Sequence, residues 1–166
     1  MVETDVRNVL EWRNHPDVRR YMFTQHEISF EEHQAWFARA NRDESKRLLI
    51  VEENSVPLGF VHFSQVLPGG VSDWGFYAVP GQTKGMGKKI GITAIEFAFN
   101  FLKLHKVCGQ ALGFNEASIR LHRTLGFQQE GVLREQHRIN KDYYDVICFG
   151  LLNQDWLTWK ERNTNE

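Results

Sequence analysis

The stretch that most restricts the fold runs from Val71 to Phe101. A β-rich run, Val71 to Val79, halts at Pro80-Gly81, because proline has no N–H for a ladder and glycine bends freely. Beyond the hexapeptide Gln82-Thr83-Lys84-Gly85-Met86-Gly87, apolar residues return at helical spacing. Ala94, Phe97, Ala98 and Phe101 follow Ile90 at offsets of 4, 7, 8 and 11. Strand, glycine loop and helix in that order aim several backbone N–H groups and the positive end of a helix at one place. Such a place suits an anion, most often phosphate. Gly85 and Gly87 remove Cβ atoms that would hold a phosphate off the backbone, and Lys84, Lys88 and Lys89 add positive charge.

Two common phosphate loops do not fit. A Walker loop needs Lys-Ser/Thr after its second glycine, where this chain has Lys88-Lys89. A dinucleotide fingerprint needs a third glycine, and Gly91 is wrongly spaced for it.

With 166 residues and 42% hydrophobic content, the chain can bury one ample core, so residues 1–166 are expected to form a single domain. A formal charge of −1 gives no global field favouring nucleic acid. No apolar run reaches the roughly 18 residues of a membrane span, and residues 1–20 lack the charged-then-apolar pattern expected of a signal peptide. Cys108 and Cys148 lie in apolar strand-like runs and are expected as buried free thiols in a cytoplasmic protein. The seven histidines show no metal-ligand spacing, so no metal site is expected.

In chain order, residues 4–21 read as one or two short helices capped by Thr4 or Asp5 and interrupted at His15-Pro16. Ser29 to Glu32 reads as a capping box, Ser29 capping and Glu32 reaching back, before a helix to about Arg42. Strands are expected at 46–52, 56–66, 106–112, 128–139 and 143–152, and a tail helix carries Trp156 and Trp159. This order predicts a mixed α/β domain, mostly antiparallel, with one parallel step across the central helix.

A second motif starts at Asn115. Ala117, Leu121 and Leu125 are spaced as a core stripe, while Asn115, Ser118 and His122 share a polar stripe beginning at the helix N-terminus. Both motifs together, Gln-x-x-Gly-x-Gly after Val-Pro and Asn115 to Phe127 with its Leu-Gly-Phe end, resemble the GNAT superfamily of N-acetyltransferases over roughly residues 45–150. The resemblance implies a GNAT-like central sheet with helices on both faces. Relatives open with a strand that is here either missing or reduced to a remnant at Met1–Glu3. It also implies acetyl-CoA as cosubstrate, held by Tyr77, Ala78, Val79, by Gln82, Thr83, Lys84, Gly85, Met86, Gly87 and Lys88, and by Asn115, Ser118 and His122. Pantetheine would lie between splayed strands, paired with backbone at Tyr77 and Val79, with N–H groups around Phe76 to Ala78 on the thioester oxygen. His122 stands where the family usually has the tyrosine that protonates the departing sulfur, and either that role or mere positioning is open to it. Asp73, Glu116, His62 or a water chain could take the amine proton.

The N-terminal third narrows the resemblance. Trp12-Arg13-Asn14-His15-Pro16, Tyr21-Met22 and Ile28 to His33 are similar to the branch that acetylates the 4-amino group of UDP-4-amino-4,6-dideoxy-N-acetyl-β-L-altrosamine in pseudaminic acid biosynthesis. The same opening occurs among ribosomal-protein N-terminal acetyltransferases. A UDP-sugar acceptor would use Arg13, His15, Arg20 and Trp74, with Arg19 and Lys46 as further candidates. A non-catalytic CoA-binding module is the third reading.

Overall fold

A computed structural model of the chain describes residues 1–163. After a 3-10 turn at Glu3–Asp5 come α1 (Val6–Asn14), α2 (Pro16–Arg19) and α3 (Phe30–Arg42). Next are β1 (Arg47–Glu53), β2 (Val56–Ser64), β3 (Val71–Ala78), α4 (Met86–Asn100) and β4 (Lys106–Leu112). Then follow α5 (Glu116–Thr124), β5 (Gln128–Ile139), β6 (Asp142–Leu152) and α6 (Asn153–Asn163). One six-stranded sheet has the order β1-β2-β3-β4-β6-β5, antiparallel throughout except between β3 and β4. This is the mixed α/β architecture that the element order predicts.

Local chemistry places the boundaries. Pro16 occupies the first turn of α2, and the His15 side chain caps it by accepting from the Asp17 N–H. Asn54 and Ser55 both have positive φ, which closes the β1–β2 hairpin with the twist such strands need. Ser29 caps α3 by accepting from the Glu32 N–H at 3.1 Å. Glu32 does not reach back to complete the box; its carboxylate faces His26 at 3.0 Å instead. Nor do Thr4 or Asp5 cap α1 by a side-chain bond: Asp5 accepts from the Val2 N–H.

The larger core lies on the face covered by α4, with Val61, Phe63, Trp74, Ile90, Ile95, Val107, Phe149 and Trp156 buried in it. Val6 and Val9 of α1, Phe37 of α3 and Phe60 of β2 are also buried, outside that cluster. Some positions depart from the sequence-based expectation. Phe101 is 75% exposed, because α4 ends one residue earlier and Phe99 takes the buried position. Ala117 is exposed, and Ile119 packs on the core in its place. Cys108 and Cys148 are unpaired as expected but only half-buried. Among the described residues no strand precedes β1; the Met1 nitrogen donates to the Leu48 carbonyl of that strand at 3.0 Å.

Candidate active site

β3 and β4 pair only at Val71–Lys106, Ser72–Val107 and Asp73–Cys108. Beyond that point they diverge, and a cavity of about 650 Å³ opens between them and under α1 and α3. Its walls include Trp74, Phe76 and Tyr77 of β3, Cys108 to Leu112 of β4, Asn115, Ser118 and His122 at α5, and Arg13, His33 and Trp36 from the helical face. The sequence motifs around residues 74 and 115 therefore meet at one opening.

The register decides which backbone groups face that opening. The Val79 N–H donates to the Leu58 carbonyl at 2.8 Å, so it is committed to β2. Backbone groups alternate along a strand, so those of Phe76 and Ala78 turn toward the splay and those of Tyr77 and Val79 toward β2. The pairing expected at Tyr77 and Val79 thus shifts by one residue. Tyr77 contributes its side chain instead, half-buried against Phe60 at 5.2 Å, and its partial burial pushes its phenol pKa up.

The loop ahead of α4 is an open glycine turn at the helix N-terminus. Gly85 caps the helix at φ +97°, a conformation that favours glycine, and a Cβ there would meet nothing within 4 Å. Thr83, Lys84 and Lys88 are exposed beside it, whereas Lys89 is paired with Glu53. A Cβ on Gly87 would stand 3.1 Å from Leu121 Cδ2, so this glycine also lets α4 approach α5.

On α5, Asn115 caps the helix by accepting from the Ser118 N–H, and Ser118 and the buried His122 follow it into the cavity wall. The indole N–H of Trp74 donates to His122 Nε2 at 3.3 Å, and Nδ1 lies 2.8 Å from the Ser118 carbonyl. Burial lowers the His122 pKa. Trp74 is therefore a core side chain tied to His122.

The other face carries polar groups at two levels. Asn14 clamps the backbone of Ile28 from both sides, and Arg13 Nη2 donates to the Thr24 carbonyl at 3.0 Å. Together they hold the segment after α2 along the cavity, which is what the Trp-Arg-Asn-His-Pro motif accomplishes physically. Arg13 Nη1 and His33 Nε2 are buried without a hydrogen-bond partner among the described residues. His62 lies over Gly75, and burial together with Lys46 lowers its pKa to about 4. Asp73 also lines the cavity, exposed and accepting from Gln65. His15, Arg20 and Glu116 are exposed and outside the lining; Arg20 instead faces Asp17 and stacks on Tyr21. His33, Trp36 and Phe60 also line the cavity, which their sequence does not reveal, because an apolar stripe at helical or strand spacing carries no mark of which part borders a void. Among the described residues no group of metal-ligating side chains occurs.

Residues 1–128 match the family described as acetyltransferase (GNAT) domain. The chain is 27% identical over 142 residues to acetyltransferase PseH of Campylobacter jejuni, covering 86% of this chain and 84% of that one. It is 26% identical to spermidine N(1)-acetyltransferase of Vibrio cholerae, across 95% and 92% of the two chains. The structure of spermidine N-acetyltransferase from Vibrio cholerae with CoA and spermine superposes at a TM-score of 0.85, with 25% identity and 95% of each chain covered.

Proposed function

The chain belongs to the GNAT acetyltransferase family and is an acetyl-CoA-dependent N-acetyltransferase; from that premise we propose that its acceptor is the 4-amino group of a UDP-linked amino-dideoxy sugar, UDP-4-amino-4,6-dideoxy-N-acetyl-β-L-altrosamine, as in pseudaminic acid biosynthesis. Acetyl-CoA would bind with its pyrophosphate at Gln82 to Lys88 and its pantetheine in the splay beside Phe76 and Ala78. The fit rests on the open glycine cradle and on the strand pairing that stops at Asp73–Cys108. Holding amine and thioester side by side makes the encounter near-unimolecular, and an N–H of β3 turned into the splay favours the oxygen as charge develops. Of the groups considered as bases, His62 and Asp73 border the cavity and Glu116 does not.

The observation that carries the acceptor is the pair of unpartnered nitrogens, the Arg13 Nη1 donor and the His33 Nε2 acceptor, buried beside the aromatic rings of Trp36, Phe60 and Tyr77. Buried polar groups need partners: a phosphate or carbonyl oxygen supplies one to the guanidinium and a hydroxyl or amide N–H one to the imidazole, while the rings offer faces to a base or sugar. The specific observation for the rival reading, a polyamine, is the similarity to spermidine acetyltransferases. A polyamine nitrogen about 6 Å from Arg13 would meet a repulsion of about 3 kcal/mol at an effective dielectric constant of about 20. The lining carboxylates that could offset it, Glu32 and Asp73, are exposed and already engaged by His26 and Gln65. Thiol release from acetyl-CoA should be measured with the UDP-amino sugar, spermidine and N-terminal peptides of ribosomal proteins. We expect kcat/KM for the UDP-sugar to lead by at least ~100-fold, about 2.7 kcal/mol. Comparable or better turnover of spermidine or peptide would refute the assignment.

A further inference from the structure

We infer that His122 is a positioning residue and not the proton donor to the departing sulfur: with Trp74 it forms a brace that fixes the walls of the cavity where β3 and β4 part. The tautomer follows from the partners. An indole N–H can only donate and a carbonyl can only accept. Nε2 therefore receives the Trp74 N–H at 3.3 Å, and Nδ1–H donates to the Ser118 carbonyl at 2.8 Å. That is the neutral ring with both nitrogens engaged. Protonating Nε2 would set two N–H groups against each other and leave a cation in a cage of rings.

The cage is tight, and among the described residues no charged side chain acts on the ring. The ring stacks on Phe149 of β6 at 4.7 Å and 10°, and meets the Phe127 ring edge-on at 5.0 Å. The groups in contact with it are Trp74 from β3, Gly109 from β4, Phe149 from β6, Phe127 after α5 and Ser118 within α5, and none of them titrates. A Cβ on Gly109 would fall 2.5 Å from His122 Nε2 and 2.7 Å from Trp74 Nε1. The hydrogen-bonded pair is thus seated against the β4 backbone, one residue past the last β3–β4 pair at Asp73–Cys108. From there it holds β3, β4 and α5 in fixed relation at the point where the thioester would lie.

The proton balance closes without an acid on His122. The amine nitrogen bonds to the carbonyl carbon, the C–S bond breaks, and the proton lost by the amine reaches the thiolate through water, giving amide and CoA thiol. A thiol with a pKa near 8.5 is a good enough leaving group for this.

The inference holds for whichever amine is accepted, and the decisive reading needs no acceptor. Long-range proton–nitrogen NMR of the labelled full chain should show His122 as the neutral Nδ1–H tautomer from about pH 5.5 to 8.5. An imidazolium, or a proton on Nε2, within that range would overturn the brace. Kinetics give a second reading with any amine that turns over. His122→Phe and Trp74→Phe should each lower kcat by about tenfold through misplacement of the wall. Their double variant should lose little more than either alone, since they remove one bond. The kcat–pH curve should keep its shape in His122→Phe, and His122→Gln, whose amide oxygen can accept from the indole, should regain part of the rate. Additive losses, or an alkaline limb present in the parent and absent from His122→Phe, would restore the acid role.

Discussion

His62 shows how much one enclosed side chain can govern. Its ring is sandwiched between the Phe60 ring, 6.0 Å away, and the backbone of Gly75, where a methyl group would have no room. Burial first, and the charge of Lys46 second, lower its pKa to about 4 from the ordinary 6.5. Above pH 6.5 the ring is neutral whether the chain is folded or not, so it contributes no pH dependence. Between 6.5 and 4 the unfolded chain takes up a proton that the folded one refuses, and stability falls as pH falls. Below 4 the loss levels off, at no more than about 3 kcal/mol for this group. His33 and His122 are lowered by burial in the same sense, so the parent's total loss on acidification exceeds the share of His62. Urea unfolding from about pH 7.5 to 4.5 should therefore show a shallower decline for His62→Gln than for the parent. Equal slopes would mean that His62 protonates freely in the fold, and would remove the neutral lone pair it offers the cavity.

At the scale of elements, the loop into α4 separates two jobs that the sequence presents as one. Gly85 and Gly87 look equivalent in Gly-x-Gly, yet Gly85 faces open space at positive φ while Gly87 lets Leu121 of α5 come close. A substitution at Gly87 would disturb helix packing as well as any phosphate, and one at Gly85 would strain the backbone. Thr83 is exposed, so Thr83→Asp adds a carboxylate at the cradle without either cost. Calorimetry should find acetyl-CoA binding weakened at least tenfold, about 1.4 kcal/mol, with the melting temperature of the free protein unchanged. Undiminished affinity would place the pyrophosphate elsewhere. The same contrast shows what was legible in the residues. Strand and helix positions were, because Pro80-Gly81, His15-Pro16 and Ser29 act locally on the backbone. The polar stripe of Asn115, Ser118 and His122 was too, being set by helix period alone. Phe101 and Ala117 were misplaced because a period gives the direction of a stripe but not where the covering layer ends. His33 and the direction of the Phe76 and Ala78 amides depend on register and on what packs opposite, which no local pattern contains.

For the whole molecule, the sheet is two antiparallel halves, β1-β2-β3 and β4-β6-β5, joined by three parallel residue pairs and by the helices of the α4 face. Past Asp73 and Cys108 the inner edges of both halves carry backbone groups with no strand partner, a cost that a bound extended ligand can offset. Val107 and Phe149 on one side and Phe63 and Trp74 on the other share one core, so the halves cannot separate freely. Their far ends can still breathe where only the cavity lies between them. Acetyl-CoA bridging the splay should therefore stabilise more than the loop it touches. At a hundred times its dissociation constant it contributes about 2.7 kcal/mol by mass action. For a chain of this length that is a rise of roughly 5–11 °C in melting temperature. Hydrogen exchange gives the location: protection should grow most at residues 76–79 and 109–112 and at the start of α4, and least at the β5–β6 hairpin around Asn140. CoA without the acetyl group should protect the same amides. A thermal shift of that size with protection confined to residues 82–88 would mean that the ligand sits on the loop and leaves the splay empty, and the reading of the cavity as the site of transfer would fail.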